Sequence, residues 1–243
     1  MNSCRNCKEP INDNWDYCPI CGRPEKLKRI DKHYIIQELG GFFFANKGMV
    51  YTIKNVLIRP GESVRQFIAE DRYRFVKPIT FLFITTFIYA VVNQIFGISF
   101  EDYLPQPDVK NEVPTSTFIM SWLIANPGYF SIIMIIFIAF WIKKIFKKAG
   151  YNFFEIFILC CFVSGITTLY DSIIAIIKGV TQLKLQISMS IGVIYTIWAI
   201  GQFFDKKKAS SYIKAFFSYM LGMLLLMFIA AVGGIIEVVI RLK

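Results

Sequence analysis

The chain has 243 residues, 55% of them hydrophobic and 18% charged, with a mean hydropathy of +0.50 and a formal net charge of +10. A soluble domain is usually about 45–50% apolar and about 25% charged, so these proportions, gathered into long uncharged runs, argue against a plain soluble globule and for a polytopic membrane protein. The basic excess alone fits nucleic acid, an anionic membrane surface or the inner loops of a membrane protein, and only its position along the chain separates these.

The first element, over residues 1–25, is a cysteine-rich head reading "CRNCKEPINDNWDYCPICG". Cys4 and Cys7, and Cys18 and Cys21, form two C-x2-C turns, each offering two sulfurs, and the four together complete a tetrahedron around one Zn²⁺. In "CPICG" the proline stiffens the turn and the glycine lets the backbone bend toward the metal. The alternatives are disulfides or free thiols, and disulfides need an oxidising compartment. Four thiolates close the coordination sphere, so the expected zinc is structural, and the lone histidine, His33, is not required as a ligand. The head has few apolar residues, chiefly Ile11, Trp15, Tyr17 and Ile20, with the two aromatics expected to cover the metal. Arg5 and Lys8 stand against Glu9, Asp13 and Asp16, so the ribbon is not basic and nucleic acid is not an expected partner. No apolar core of a secretory signal is visible in the first thirty residues.

Residues 26–77 carry apolar residues at helical spacing: Ile35, Ile36, Leu39, Phe42 and Phe43, then Met49, Ile53, Val56 and Leu57, then Val64, Phe67 and Ile68. Gly40–Gly41, Gly48 and Arg59–Pro60–Gly61 punctuate them. This pattern predicts short amphipathic helices along the membrane face, with Arg59, Arg65, Arg72, Arg74 and Lys77 at headgroup level. A collar packed on the bundle is an equal and compatible reading.

The cysteine head followed by "KGMVYTIKNVLIRPGESVRQFIAEDRYRFVKPITFLFI" resembles a bacterial family of unknown function in which an N-terminal zinc ribbon is fused to a multi-pass membrane domain. The resemblance covers residues 1 to about 90 and is most specific at Lys47, Gly48, Tyr51, Thr52, Pro60, Gly61, Arg65, Arg72 and Pro78. Where such chains commonly have Gly-Lys-Arg before the first span, this one has Glu70–Asp71–Arg72. At the level of architecture the chain is also similar to the Yip family of trafficking-related membrane proteins. The resemblance implies an architecture and no activity.

Five apolar runs follow, at about 78–100, 118–142, 156–177, 185–204 and 215–240, broken only by Asp171 and, near the last end, Glu237. About 20 residues at 1.5 Å each cross a hydrocarbon core about 30 Å thick. The fold class expected is therefore an all-α membrane protein: a five-helix transmembrane bundle over 78–243, with a zinc ribbon and interfacial helices before it. Lys143, Lys144, Lys147 and Lys148 join the second and third spans, and Lys206, Lys207, Lys208 and Lys214 the fourth and fifth. The positive-inside rule makes these loops cytoplasmic. It predicts a multi-pass protein of the inner cell membrane with its N-terminus inside, its C-terminus outside and its ribbon in a reducing compartment.

Within the spans, Asp171 is the clearest ionisable residue, and such a residue is a functional candidate by default. Asn93 and Asn126, the latter before a Pro127–Gly128 kink, are its candidate neighbours in a polar pocket toward the outer leaflet. The alternative is a satisfied carboxylate that locks helix packing. No catalytic signature is present: no H-E-x-x-H, no G-x-S-x-G and no Walker loop. The expectation is a non-enzymatic membrane protein bound to lipid, whose ribbon docks a protein partner or a second copy. The rival is a small transporter or channel around Asp171, and a third, weaker reading is a lipid-directed enzyme at the arginine collar.

Overall fold

The computed structural model describes residues 2–4, 7–12, 15–22, 24, 29–40, 48–98, 127–181 and 188–241. These residues are overwhelmingly helical. Three short helices precede the bundle: α1 (Lys32–Gly40), α2 (Met49–Ile58) and α3 (Pro60–Ala69). Five long ones build it: α4 (Pro78–Phe96), α5 (Pro127–Ile145), α6 (Phe153–Thr181), α7 (Ser188–Asp205) and α8 (Ala209–Arg241). Each predicted run thus contains a helix. Residues 118–126, with Asn126 among them, lie outside the described residues. Among the described residues, three helices are long and apolar enough to cross a membrane: Pro78–Phe96, Phe153–Thr181 and Ala209–Gly233.

Local chemistry sets the helix ends. Pro60 and Pro78 each occupy the first turn, where a missing N–H costs nothing. Gly97 closes α4 in the left-handed conformation at φ 62°. At the start of α6, Asn152 and Glu155 form a reciprocal capping box. The Glu155 N–H donates to Asn152 Oδ1 at 2.8 Å and the Asn152 N–H to Glu155 Oε2 at 2.7 Å. Arg29 then clamps the buried Glu155 through Nε at 2.9 Å and Nη2 at 3.1 Å. Asn152 Nδ2 donates to the Ile30 carbonyl at 2.8 Å, and Ile30 itself is buried. The segment Arg29–Ile30 before α1 is thereby pinned to the base of α6.

Side-chain pairings show how the long helices run. Phe81 at the start of α4 packs on Phe162 in the first half of α6, and Phe96 at its end meets Gly179, so α4 and α6 are parallel. On α5 and α8, Ile138 faces Gly222 and Phe146 faces Lys214, an antiparallel register. Phe146 and Phe204 stack at 3.8 Å, which brings the α5–α6 and α7–α8 connections to one end of the molecule. The collar helices meet that same end, because α3 touches α7 at Gln202. The core runs through this arrangement, with Phe67, Phe81, Phe162, Ile135, Leu159 and Phe203 fully buried. Bulky apolar residues such as Phe87, Ile95, Ile173, Phe217 and Phe228 point outward, the inverse of a soluble surface.

α1 contributes one buried carboxylate. Glu38 accepts the Ile79 N–H at 2.6 Å and faces the N-terminus of α4, where helix dipole and free amides favour an anion. Burial nevertheless pushes its pKa up to about 7, against the lowering effect of the Ile79 and Thr80 N–H groups and Lys77. The unfolded chain releases this proton near 4.5, so between those two values the native state holds more protons and stability falls as pH rises. Glu38→Gln keeps an acceptor for Ile79 without the charge. It is expected to abolish that decline and to raise stability at pH 8 by on the order of 3 kcal/mol. Thermal unfolding of both proteins from pH 5 to 8 checks this; parallel curves would show that Glu38 ionises normally.

Candidate metal centre

The head folds as two matching turns. Asn2–Ser3 pairs antiparallel with Pro10–Ile11, and Tyr17 bridges to Pro24. In the first turn the Lys8 N–H reaches back to the Cys4 carbonyl at 2.9 Å; in the second the Gly22 N–H reaches the Cys18 carbonyl at 2.8 Å. Each turn therefore needs a left-handed residue directly after its second cysteine: Gly22 at φ 67° and Lys8 at φ 61°. Glycine adopts that conformation freely, whereas another residue is disfavoured by roughly 1–2 kcal/mol. Lys8→Gly is thus expected to strengthen metal retention about fivefold once the unfolded-state entropy of glycine is counted. Competition against a graded series of chelators measures it, and weaker retention would contradict the strain.

The turns bring all four sulfurs within 4.8 Å of one another. Cys4 and Cys21 stand 3.6 Å apart, as do Cys7 and Cys18. A disulfide would require about 2.05 Å, and all six cysteines are free thiols. Four sulfurs each about 2.3 Å from a tetrahedral metal lie about 3.8 Å apart, so spacing and donor type fit a divalent ion. The backbone hydrogen bond at Glu9 lowers the Cys7 pKa, but desolvation and the crowded sulfurs of Cys4, Cys18 and Cys21 prevail and push it up to about 12. A cation at the centre inverts that logic, because a coordinating thiol is deprotonated outright. Cys4 and Cys18 are buried. Trp15 and Tyr17, expected over the metal, are exposed at 44% and 64%, and Ile20 beside them at 66%.

The collar cations divide. Arg59, Arg74 and Lys77 are exposed. Arg65 turns inward and donates from Nη1 to the carbonyls of Gln202 (2.9 Å) and Phe203, neutralising the C-terminal end of α7. Arg72 lies over the Tyr34 ring at 5.3 Å, and burial lowers its pKa. α2 and α3 bury Val56, Val64 and Phe67 against the bundle while Val50, Leu57 and Ile58 stay exposed. The collar is packed on the bundle on one side and bare on the other.

Asp171 is half-buried on α6 and lies within electrostatic reach of Tyr219 on α8. Asn93 has a buried side-chain oxygen without a hydrogen-bond partner. The α4–α6 register places Asn93 about level with Ile176, more than a turn beyond Asp171. Gln202, Glu155 and Glu38 escaped the sequence reading as structural anchors. Asn152-x-x-Glu155 has capping-box spacing and was there to be found; Glu38 carries no comparable signal.

A family model described as protein of unknown function (DUF3667) matches residues 46–90. No curated protein and no solved structure matches the chain. The matched segment is the collar with most of α4, and its distinctive residues have structural tasks. Thr52 Oγ1 accepts the Val76 N–H at 2.9 Å, the Tyr51 and Phe75 rings meet edge-on at 5.2 Å, and Gly61 and Arg65 seat α3 on α7. No match to the Yip family was found.

Proposed function

We propose that the chain is a multi-pass inner-membrane protein of five spans with a cytoplasmic N-terminus, and that its head is a zinc ribbon serving as a docking module for a protein partner. The observation that carries the reading is the tetrad of sulfurs within 4.8 Å, set in a head whose Trp15, Tyr17 and Ile20 face outward. A four-sulfur sphere leaves no open coordination position, so the metal's work is to fold the head. Exposed aromatics on a rigid scaffold are the residues protein interfaces favour. The helix directions agree with alternating spans, and the lysine loops lie at the collar end of the bundle.

The test is affinity purification of the full chain from detergent with and without zinc chelation. One protein should co-purify in the metal-loaded state and be lost from Trp15→Ala/Tyr17→Ala, a variant that retains its metal. A partner indifferent to both treatments would end the docking reading while leaving the membrane assignment intact.

A further inference from the structure

The two lysine loops, more than fifty residues apart in sequence, are welded into one platform. Phe146 and Phe204 stack nearly parallel at 9°, Tyr151 packs on Phe203 at 4.6 Å, and Lys143 donates to the Tyr151 carbonyl. Each loop is also held from within. The Ala149 N–H bonds the Phe146 carbonyl at 2.9 Å, and Asp205 accepts the Lys207 N–H at 3.0 Å while pairing with Lys208 at 3.1 Å. Residues 143–150 contain no acid and 205–214 contain only Asp205, which is already engaged. Lys147, Lys148, Lys206 and Lys207 are exposed on this platform.

Apolar surface begins where the lysines end. Lys144 lies over Trp141 at 5.1 Å and Lys214 over Phe146 at 5.9 Å, so both ammonium groups sit over the faces of aromatic rings. Phe140 on α5 and Ile213 and Phe217 on α8 are exposed immediately beside them. A dissolved polyanion would satisfy the lysines alone and make no use of that strip. A molecule with a phosphate joined to hydrocarbon chains satisfies both halves.

We propose that this platform binds an anionic phospholipid, its phosphate held by Lys147, Lys148 and Lys206 and its acyl chains lying along the exposed strip of α5 and α8. The proposal rests on the membrane reading above and concerns residues distinct from the collar arginines. Lysines at the headgroup boundary attract anionic lipid, each by about fivefold.

Full-length protein in detergent is titrated with phosphatidylglycerol or phosphatidylcholine, and retained lipid is counted by native mass spectrometry. Phosphatidylglycerol should bind preferentially. Lys147→Gln/Lys148→Gln/Lys206→Gln should weaken it on the order of 100-fold. Lys32→Glu/Lys54→Gln, which removes equal charge from exposed positions elsewhere, should change it no more than twofold to threefold. Equal losses in both variants, or none in the first, would overturn the site. So would displacement of the lipid by inorganic phosphate at matched concentration, which would reassign it to free phosphate. Recovery of the protein from the soluble fraction without detergent would instead sink the membrane reading.

Discussion

Cys4→Ser is expected to empty the metal centre and unfold the head while leaving the helical body intact. Among its described residues the head's one buried apolar cluster is Cys4 and Cys18, with Cys7 and Cys21 packed beside them. Metal binding worth about 10–16 kcal/mol in zinc-finger peptides is then nearly the whole of its folding free energy. Serine offers a poorer ligand at a position where the sulfurs stand 3.6 Å apart. The wild type should hold one zinc per chain and the variant essentially none. The body has a separate core, built on Phe67, Phe81, Phe162 and Phe203, so its helical signal and unfolding temperature should stay put. Elemental analysis with circular dichroism reads both outcomes. Metal retained by Cys4→Ser, or absent from the wild type, would remove the basis for a zinc ribbon.

Gly61→Val should detach the collar. A side-chain carbon at Gly61 would lie 2.4 Å from the Gln202 backbone carbon and from the Phe203 nitrogen, and backbone cannot swing aside as a long side chain can. α3 must move. It then loses the Gly61 N–H bond to Gln202 Oε1 at 2.9 Å, and Arg65 loses the α7 carbonyls. The buried Val64 and Phe67 are pulled from their seats as well. Overpacking typically costs about 1–3 kcal/mol, and displacing a buried phenylalanine adds to it, so about 3–5 kcal/mol is expected. Glu62→Ala, exposed on the same helix, should cost less than about 1 kcal/mol. Unfolding measurements combined with limited proteolysis between residues 48 and 77 distinguish a detached collar from general destabilisation. Equal, small effects of the two substitutions would mean that α3 and α7 are not in contact.

Thr52, Gly61 and Arg65 each complete a contact between the collar and its neighbours. They hold a shape. The surfaces the clasp leaves open are the outward aromatics of the cysteine-rich head and the lysine platform.

Much of this was readable before any coordinates. Cysteine spacing specifies a metal site because two residues between ligands fit one tight turn, and turn geometry is local. Apolar run length specifies long helices because the rise per residue is constant. What no local rule contains is which helix meets which. That Glu38 reaches the start of α4, that Arg29 clamps Glu155 across more than a hundred residues, and that Phe146 stacks on Phe204 follow from packing alone. Trp15 and Tyr17 show the limit from the other side. Their composition suggested a lid over the metal, but two turns of backbone already enclose the sulfurs, so the rings are left facing outward. By itself the sequence determined where the long helices lie and which four cysteines come together. Tertiary structure decided which charges are spent inside the molecule and which remain to meet something else, because burial depends on neighbours that lie far apart along the chain.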